Sequence, residues 1–239
     1  MPETVKTTFA VWLGLADYQE ALDLQMKVCE LKKHGFQEDV LILLEHPPTI
    51  TLGRNADRKH LLASDGELRD RGVSLFAVDR GGDITFHGPG QLVGYPILQL
   101  GRTERDVHRL MRNLEESLIR LLHSYGIDAG REERLTGVWT AHGKIAAMGI
   151  HISRWITRHG FALNVNTDLS YYRLIVPCGI VGKAVNSMQM LLNRSLDLRE
   201  VAGRFAGCFG EVFNRQTVWL SLPDLHRKLE GYAHEIAVA

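Results

Sequence analysis

The segment Arg80-Gly-Gly-Asp-Ile-Thr-Phe-His87-Gly-Pro-Gly90-Gln91-Leu-Val-Gly-Tyr95 constrains this chain more than any other stretch. Between Arg80 and Gly90 it holds four glycines and a proline. Such a stretch lets the backbone reverse between strands or approach a ligand closely, because only glycine accepts positive φ without strain. It is not a dinucleotide fingerprint, since Gly94 follows Gly88 and Gly90 at the wrong offset and no helix begins there. A phosphate loop is absent too: Gly143-Lys144 and Gly182-Lys183 are followed by Ile and Ala instead of Ser or Thr. Two readings stay open, a glycine-rich hairpin and a ligand-binding loop.

Around this segment the periodicity alternates in blocks. Thr7 to Leu13 reads as a strand, Asp17 to His34 as an amphipathic helix capped near Asp17, and Val40 to His46 as a buried strand stopped by Pro47 and Pro48. Ser64 and Glu67 form a capping box for a short helix ending at Gly72. Leu75 to Val78, Ile84 to His87 and Leu92 to Leu100 read as strands. Thr103 is expected to cap the longest helix, which runs to Tyr125 on a stripe of Val107, Leu110, Met111, Leu114, Leu118 and Leu121. Arg102, Arg105, Arg109 and Arg112 would share the opposite face if that helix reached back to Arg102. Val138 to Thr140, Ile145 to Ile152 and Phe161 to Val165 carry β propensity, with a turn at His142-Gly143. A helix covers Leu198 to Phe213, and the C-terminal tail leaves room for a short one. Strands with helices gathered in separate blocks predict an α+β fold, a mixed β-sheet flanked by helices, as a single domain over residues 1–239.

Composition narrows the function classes. Hydrophobic residues make up 45% and charged residues 23% of the 239, and 28 Lys and Arg balance 28 Asp and Glu. A general nucleic-acid or anionic-membrane binder would carry a basic excess, so charged recognition must be local. The longest strictly aliphatic run, Val40 to Leu44, is far too short to span a bilayer. With no cationic-then-apolar leader, a cytoplasmic protein is expected.

Three cysteines without a CxxC pair argue against a disulfide framework or structural zinc, and no metal is expected. Cys29 and Cys208 lie in helical patterns as small apolar residues. Cys178 differs: Ile175-Val-Pro-Cys-Gly179 is a strand stopped by proline with the thiol on the following turn. Such a turn exposes a side chain beside unpaired N–H groups, as an attacking thiolate and a developing oxyanion require, although a buried thiol is the commoner fate of a free cysteine. Lys144 follows a hairpin turn, where an ammonium could lower a thiol pKa or simply end a strand in solvent. His87, His142 and His159 each precede a glycine and read as turn or core residues.

Three segments together resemble the octanoyltransferase family, the lipoyl(octanoyl) transferases of the biotin and lipoate ligase superfamily. They are RGGDITFHGPGQLVGY at 80–95, GKIAAMGIHI at 143–152 and HGFALNVNTDLSYYRLIVPCGIVGKAVNSM at 159–188, and LEHPPTITLGR ending at Arg54 adds to them. The resemblance spans about residues 8–213 and implies a biotin/lipoate ligase-like catalytic domain. It also implies a ping-pong transfer in lipoate biosynthesis: a cysteine takes octanoyl from octanoyl-acyl carrier protein and gives it to a lysine of an apo lipoyl domain. The acceptors implied are the lipoyl domains of 2-oxoacid dehydrogenase acyltransferase subunits and the glycine cleavage H protein, and the enzyme is expected to act as a monomer. Carried over by position, the nucleophile is Cys178 and the lysine that lowers its pKa is Lys144. The acyl chain falls on Arg80, Gly81, Gly82, Asp83, Ile84, Thr85, Phe86 and His87, on Ala147, Met148 and Gly149, and on Gly160, Phe161 and Ala162. Asn186 departs from the family's usual Thr, which touches only a local polar contact. Thioester-to-amide transfer is downhill, so no cofactor or ATP is implied, which agrees with the missing phosphate loop. The alternative within the same fold is an ATP-dependent lipoate-protein ligase, which would not need Cys178.

Overall fold

The computed structural model describes residues 5–176 and 184–238. Strand β1 (Lys6–Leu15) leads into helix α1 (Tyr18–Lys33), whose first turn Asp17 caps by accepting the Gln19 N–H at 2.7 Å. β2 (Asp39–Glu45) ends where Pro47 and Pro48 remove backbone donors. β3 (Thr49–Leu52), α2 (Asp65–Asp70), β4 (Ser74–Ala77), β5 (Ile84–His87) and β6 (Gln91–Ile97) precede the long helix α3 (Val107–Ser124). β7 (Gly130–Glu132), β8 (Leu135–Thr140), β9 (Gly143–Ser153) and β10 (Ile156–Asn164) follow as successive hairpins. α4 (Met188–Leu192), α5 (Leu198–Phe213), β11 (Arg215–Leu220) and α6 (Leu222–Val238) complete the described chain.

Among the described residues the strands form an eight-stranded sheet in the order β11-β1-β2-β6-β10-β9-β8-β7 and a three-stranded sheet in the order β4-β3-β5. β1 pairs in parallel with β2 and β11, whereas β2, β6, β10, β9, β8 and β7 pair antiparallel in turn. This is the expected α+β fold with a mixed sheet between helices. Side-chain alternation divides the sheet's two faces. Leu41 and Leu43 of β2 pack with Leu114 and Leu118 of α3 and Phe205 and Phe209 of α5; Val40, Ile42 and Leu44 pack with Val28 of α1 and Leu225 of α6. Buried on both faces, β2 reads as a continuous apolar run. The small sheet has its own core around Ile50, Ile84 and Phe86.

Several expectations need correction. Thr103 does not cap α3. It lies in a separate 3-10 turn, Arg102–Glu104, while Asp106 caps the helix by accepting the Arg109 N–H at 3.0 Å. The Glu104 carboxylate accepts the Gly101 N–H at 2.7 Å and closes that turn on itself, so Arg102 is off the helix and the four-arginine face is broken. Val107, the first helical residue, is exposed instead of joining the apolar stripe. β3, β7 and β11 are strands the local pattern did not reveal, and the C-terminal helix runs for 17 residues. The glycine-rich stretch is itself a crossing between the sheets. β5 belongs to the small one, β6 to the large one, and Gly88-Pro89-Gly90 turns between them with the Gly90 N–H held by Glu45 at 2.7 Å.

Candidate active site

A narrow cleft lies between the small sheet and the middle of the large one. Arg80, Gly82, Asp83, Ile84, Thr85 and His87 of β5 and its preceding loop form one wall. Opposite them run Ala147, Met148 and Gly149 of β9, in register with Ala162, Phe161 and Gly160 of β10. The three predicted acyl-binding segments therefore meet. Gly81 and Phe86 do not line the cleft. Phe86 turns to the other face of β5, where it is fully buried and stacked on Tyr171 at 4.8 Å. Gly81 fastens the loop to β9 by donating its N–H to the Ile150 carbonyl at 3.0 Å. That approach requires glycine at 149, since a methyl there would lie 2.4 Å from the Gly81 carbonyl oxygen.

The polar groups around the apolar lining are held in fixed roles. Arg80 donates from Nη2 to the Thr51 carbonyl at 2.8 Å and to Thr51 Oγ1 at 2.9 Å, so its guanidinium staples the loop to β3. His46 Nδ1 faces the Ala16 carbonyl at 2.8 Å and must carry the proton; Tyr95 then donates its O–H to Nε2 at 2.8 Å. Burial pushes His46 down to about 4 and His87 well below its ordinary value, so both rings are neutral. His87 donates from Nδ1 to Gln91 Oε1 at 3.0 Å, and Gln91 Nε2 donates onward to Asn164 Oδ1 at 3.0 Å. His159, 2% exposed and at a φ of 59°, donates from Nε2 to Asp79 at 2.8 Å. Burial brings it to about 4 despite that bond. Burial alone would raise Asp79, but the His159 hydrogen bond and the Arg158 charge hold it below the usual carboxylate value.

Lys144 is the second residue of β9 and is 8% exposed. It lines a small adjoining pocket with Asn164, Tyr172 and Val185, and Thr85 and Ala147 belong to both spaces. Its backbone is clamped, the N–H donating to Ala184 at 2.9 Å and the carbonyl accepting from Asn186 at 3.0 Å. Its Nζ stands 5.2 Å from the Trp139 ring centre. Asn186, where the family's Thr was expected, donates from Nδ2 to Thr140 Oγ1 at 2.7 Å and so braces the hairpin before Lys144. Cys178 lies outside the described residues. Of the other two cysteines, both half-buried, burial pushes the Cys29 thiol up to about 11 and raises Cys208 as well, which leaves neither a ready thiolate.

Local sequence did not single out Tyr18, Tyr95 or Asp79. Tyr18, 2% exposed, stacks on His87, packs tilted against His46 and Phe76, and borders the cleft. These residues reach the site through sheet register and helix placement; the signals near them were the Asp17 cap beside Tyr18 and the glycine-rich segment that Asp79 precedes and Tyr95 closes.

The Lipoyl protein ligase A/B catalytic domain model matches residues 17–210. Similar proteins include octanoyltransferases of Koribacter versatilis, 53% identical over 89% of this chain and 87% of that protein, and of Solibacter usitatus, 53% identical over 84% and 91%. Among solved structures, a lipoate-protein ligase A bound with ATP superposes with a TM-score of 0.75, covering 96% of this chain and 94% of that one at 16% identity. A bi-partite lipoate protein ligase from Thermoplasma acidophilum gives 0.73 over 98% and 92%, also at 16% identity. At that identity the two structures speak for the fold alone.

Proposed function

The chain belongs to the Lipoyl protein ligase A/B catalytic domain family, and from that premise we propose that it is an octanoyltransferase of protein lipoylation. It takes octanoyl from the phosphopantetheine thioester of an acyl carrier protein and delivers it to a lysine of apo lipoyl domains. The observation that carries this reading is an apolar cleft, assembled from the three motif segments, that adjoins Lys144 through Thr85 and Ala147. Eight carbons at about 0.8 kcal/mol per buried methylene supply several kcal/mol of binding, enough for such a slot to hold the chain.

In the first step the Cys178 thiolate attacks the thioester carbonyl, the bond to the pantetheine sulfur breaks, and that sulfur leaves with a proton. In the second, a neutral lysine amine attacks the acyl-cysteine carbonyl, the new C–N bond replaces C–S, and the amine proton returns to the Cys178 sulfur. The Lys144 ammonium favours the thiolate in the resting enzyme and relays these protons. Acceptors are the lipoyl domains of 2-oxoacid dehydrogenase acyltransferase subunits and the glycine cleavage H protein, met by a cytoplasmic monomer. No helix among the described residues is long and apolar enough to cross a membrane.

Incubation with octanoyl-acyl carrier protein and no nucleotide should add one octanoyl group, read by intact mass, and that group should move to a lipoyl domain added later. Cys178→Ala should abolish the adduct, whereas Cys29→Ala and Cys208→Ala should retain it. An adduct persisting on Cys178→Ala, or transfer that demands ATP and free octanoate, would overturn the proposal.

A further inference from the structure

We infer that Gly137 on β8, and the Glu115 carboxylate of α3 behind it, are positioning residues for the Lys144 ammonium; the inference rests on the role proposed for Lys144. A lysine head on a four-carbon stem can occupy many rotamers, so its place beside a reacting thiol has to be imposed by what surrounds it.

Three observations converge on Gly137. Its φ is 125°, and a methyl group there would lie 2.6 Å from Lys144 Cε, 3.3 Å from Lys144 Nζ and 2.6 Å from the Ala146 carbonyl oxygen. The lysine stem therefore lies in a space that exists only because residue 137 has no side chain, and the Ala146 backbone blocks the opposite adjustment. The ladder also slips at this point. Trp139 pairs with Lys144 but Val138 pairs with Ala146, so β9 carries one extra residue, a bulge of the kind that re-aims a side chain. Finally, the strand is held at the bulge from beneath. Glu115 Oε1 accepts the Gly137 N–H at 3.1 Å, while Oε2 accepts from Arg112 at 2.7 Å and Arg131 at 3.1 Å. Glu115 is 1% exposed, and its two arginines fix the carboxylate so that it can serve as a rigid post for Gly137. The Trp139 ring bounds the ammonium on another side.

The test reads Lys144 itself as well as turnover. Gly137→Ala should lower kcat by about tenfold or more while the KM for octanoyl-pantetheine changes by less than about threefold, since a small misplacement of a reacting group costs rate. The midpoint for pH-dependent reductive methylation of Lys144, followed by peptide mass spectrometry, should shift by about half a unit or more as the ammonium's neighbours change. Glu115→Ala should reproduce this split without touching the lysine directly, and Glu115→Gln, whose one amide oxygen cannot serve both the Gly137 N–H and the two arginines, should fall between Glu115→Ala and wild type. Should Gly137→Ala fail to fold, the Glu115 pair decides by the same readouts. Folded variants with a wild-type labelling midpoint and kcat would overturn the inference, as would a Glu115→Ala variant that loses kcat with an unmoved Lys144 labelling midpoint. If Lys144→Met leaves thiol alkylation by iodoacetamide unchanged across pH, the role assigned to Lys144 fails instead, and the labelling shift still judges Gly137.

Discussion

His46 and His159 carry a large share of the protein's acid sensitivity. Each is buried and neutral when folded, with burial carrying its titration from 6.5 down to about 4. In the unfolded chain the same rings protonate near 6.5, so as pH falls the unfolded state takes up protons first. Their contribution is intact above about pH 6.5 and is lost as pH falls toward 4, reaching about 2 kcal/mol per histidine at pH 5. His87 adds to the loss in the same direction. Urea midpoints at pH 7.5 and 5.0 should differ accordingly. Replacing His159 by Asn, which tolerates its positive φ and does not titrate, should reduce the difference by a share comparable to one histidine. Equal midpoints at the two pH values would show that these rings accept protons while folded.

At the scale of elements, where α3 begins decides what the four arginines do, since Arg102 and Arg105 precede it and only Arg109 and Arg112 lie on it. Arg105 stands 5.5 Å from the Trp155 ring and Arg112 is paired with Glu115 at 2.7 Å, so two of the four serve the fold. Trp155 accepts the Leu100 N–H just before β10 begins, whereas the Lys144 cavity touches Asn164 at the other end of that strand. Of the arginines, Arg105 lies at the far end of that strand, so a carrier protein seated there would have to deliver its thioester along β10, whereas Arg112, nearer Lys144, is occupied by Glu115. Reversing Arg105 and Arg109 to Glu should therefore leave the KM for octanoyl-acyl carrier protein within about twofold, with its salt dependence intact. A rise of tenfold that high salt erases would restore the helix as the docking face.

The same contrast separates what could be read in the sequence from what could not. β2, α1, α3 and α5 are long and strongly patterned, and local propensity and burial agree in them. β3, β7 and β11 are short, and pairing makes them strands: β3 with β5 and β11 with β1 across long stretches of chain, and the three-residue β7 with its hairpin neighbour β8. The mislaid cap at Thr103 arose because two capping residues, Thr103 and Asp106, stand three apart, and only the tertiary hold on Glu104 selects the second. In the site, the contiguous motifs carried the cleft's walls. Tyr18, Tyr95, Asp79 and the Glu115–Gly137 contact depend on which strands are neighbours, and no local pattern encodes that.

Across the whole molecule the balance of 28 positive and 28 negative side chains conceals one concentrated arrangement. Asp39 has no exposed surface and meets Lys32 of α1 at 2.9 Å, Arg215 of β11 at 3.1 Å and the Gln99 N–H at 2.9 Å. Arg215 reaches on to Glu104, which Lys6 of β1 holds at 2.7 Å. One buried carboxylate thus ties together β2, α1, the end of β6 and the edge strand at the far terminus. Removing it leaves Lys32, whose side chain is fully buried, without its carboxylate while Arg215 keeps Glu104, a situation that costs about 3–5 kcal/mol because the Lys32 charge stays out of water. Asp39→Ala should lose that much in urea unfolding at neutral pH. Asp39 begins β2, whereas Glu45 at its other end holds the Gly90 turn and His46 lies just beyond, against the cleft. The folded fraction of Asp39→Ala should therefore keep its KM for octanoyl-pantetheine and, assayed well below its melting temperature, a kcat within about threefold of wild type, since sites this far apart along a strand act independently. A loss below about 1 kcal/mol would mean that water or side-chain rotation rescues the Lys32 ammonium. A fully folded variant with a large fall in kcat would mean that the cleft depends on this end of the sheet after all.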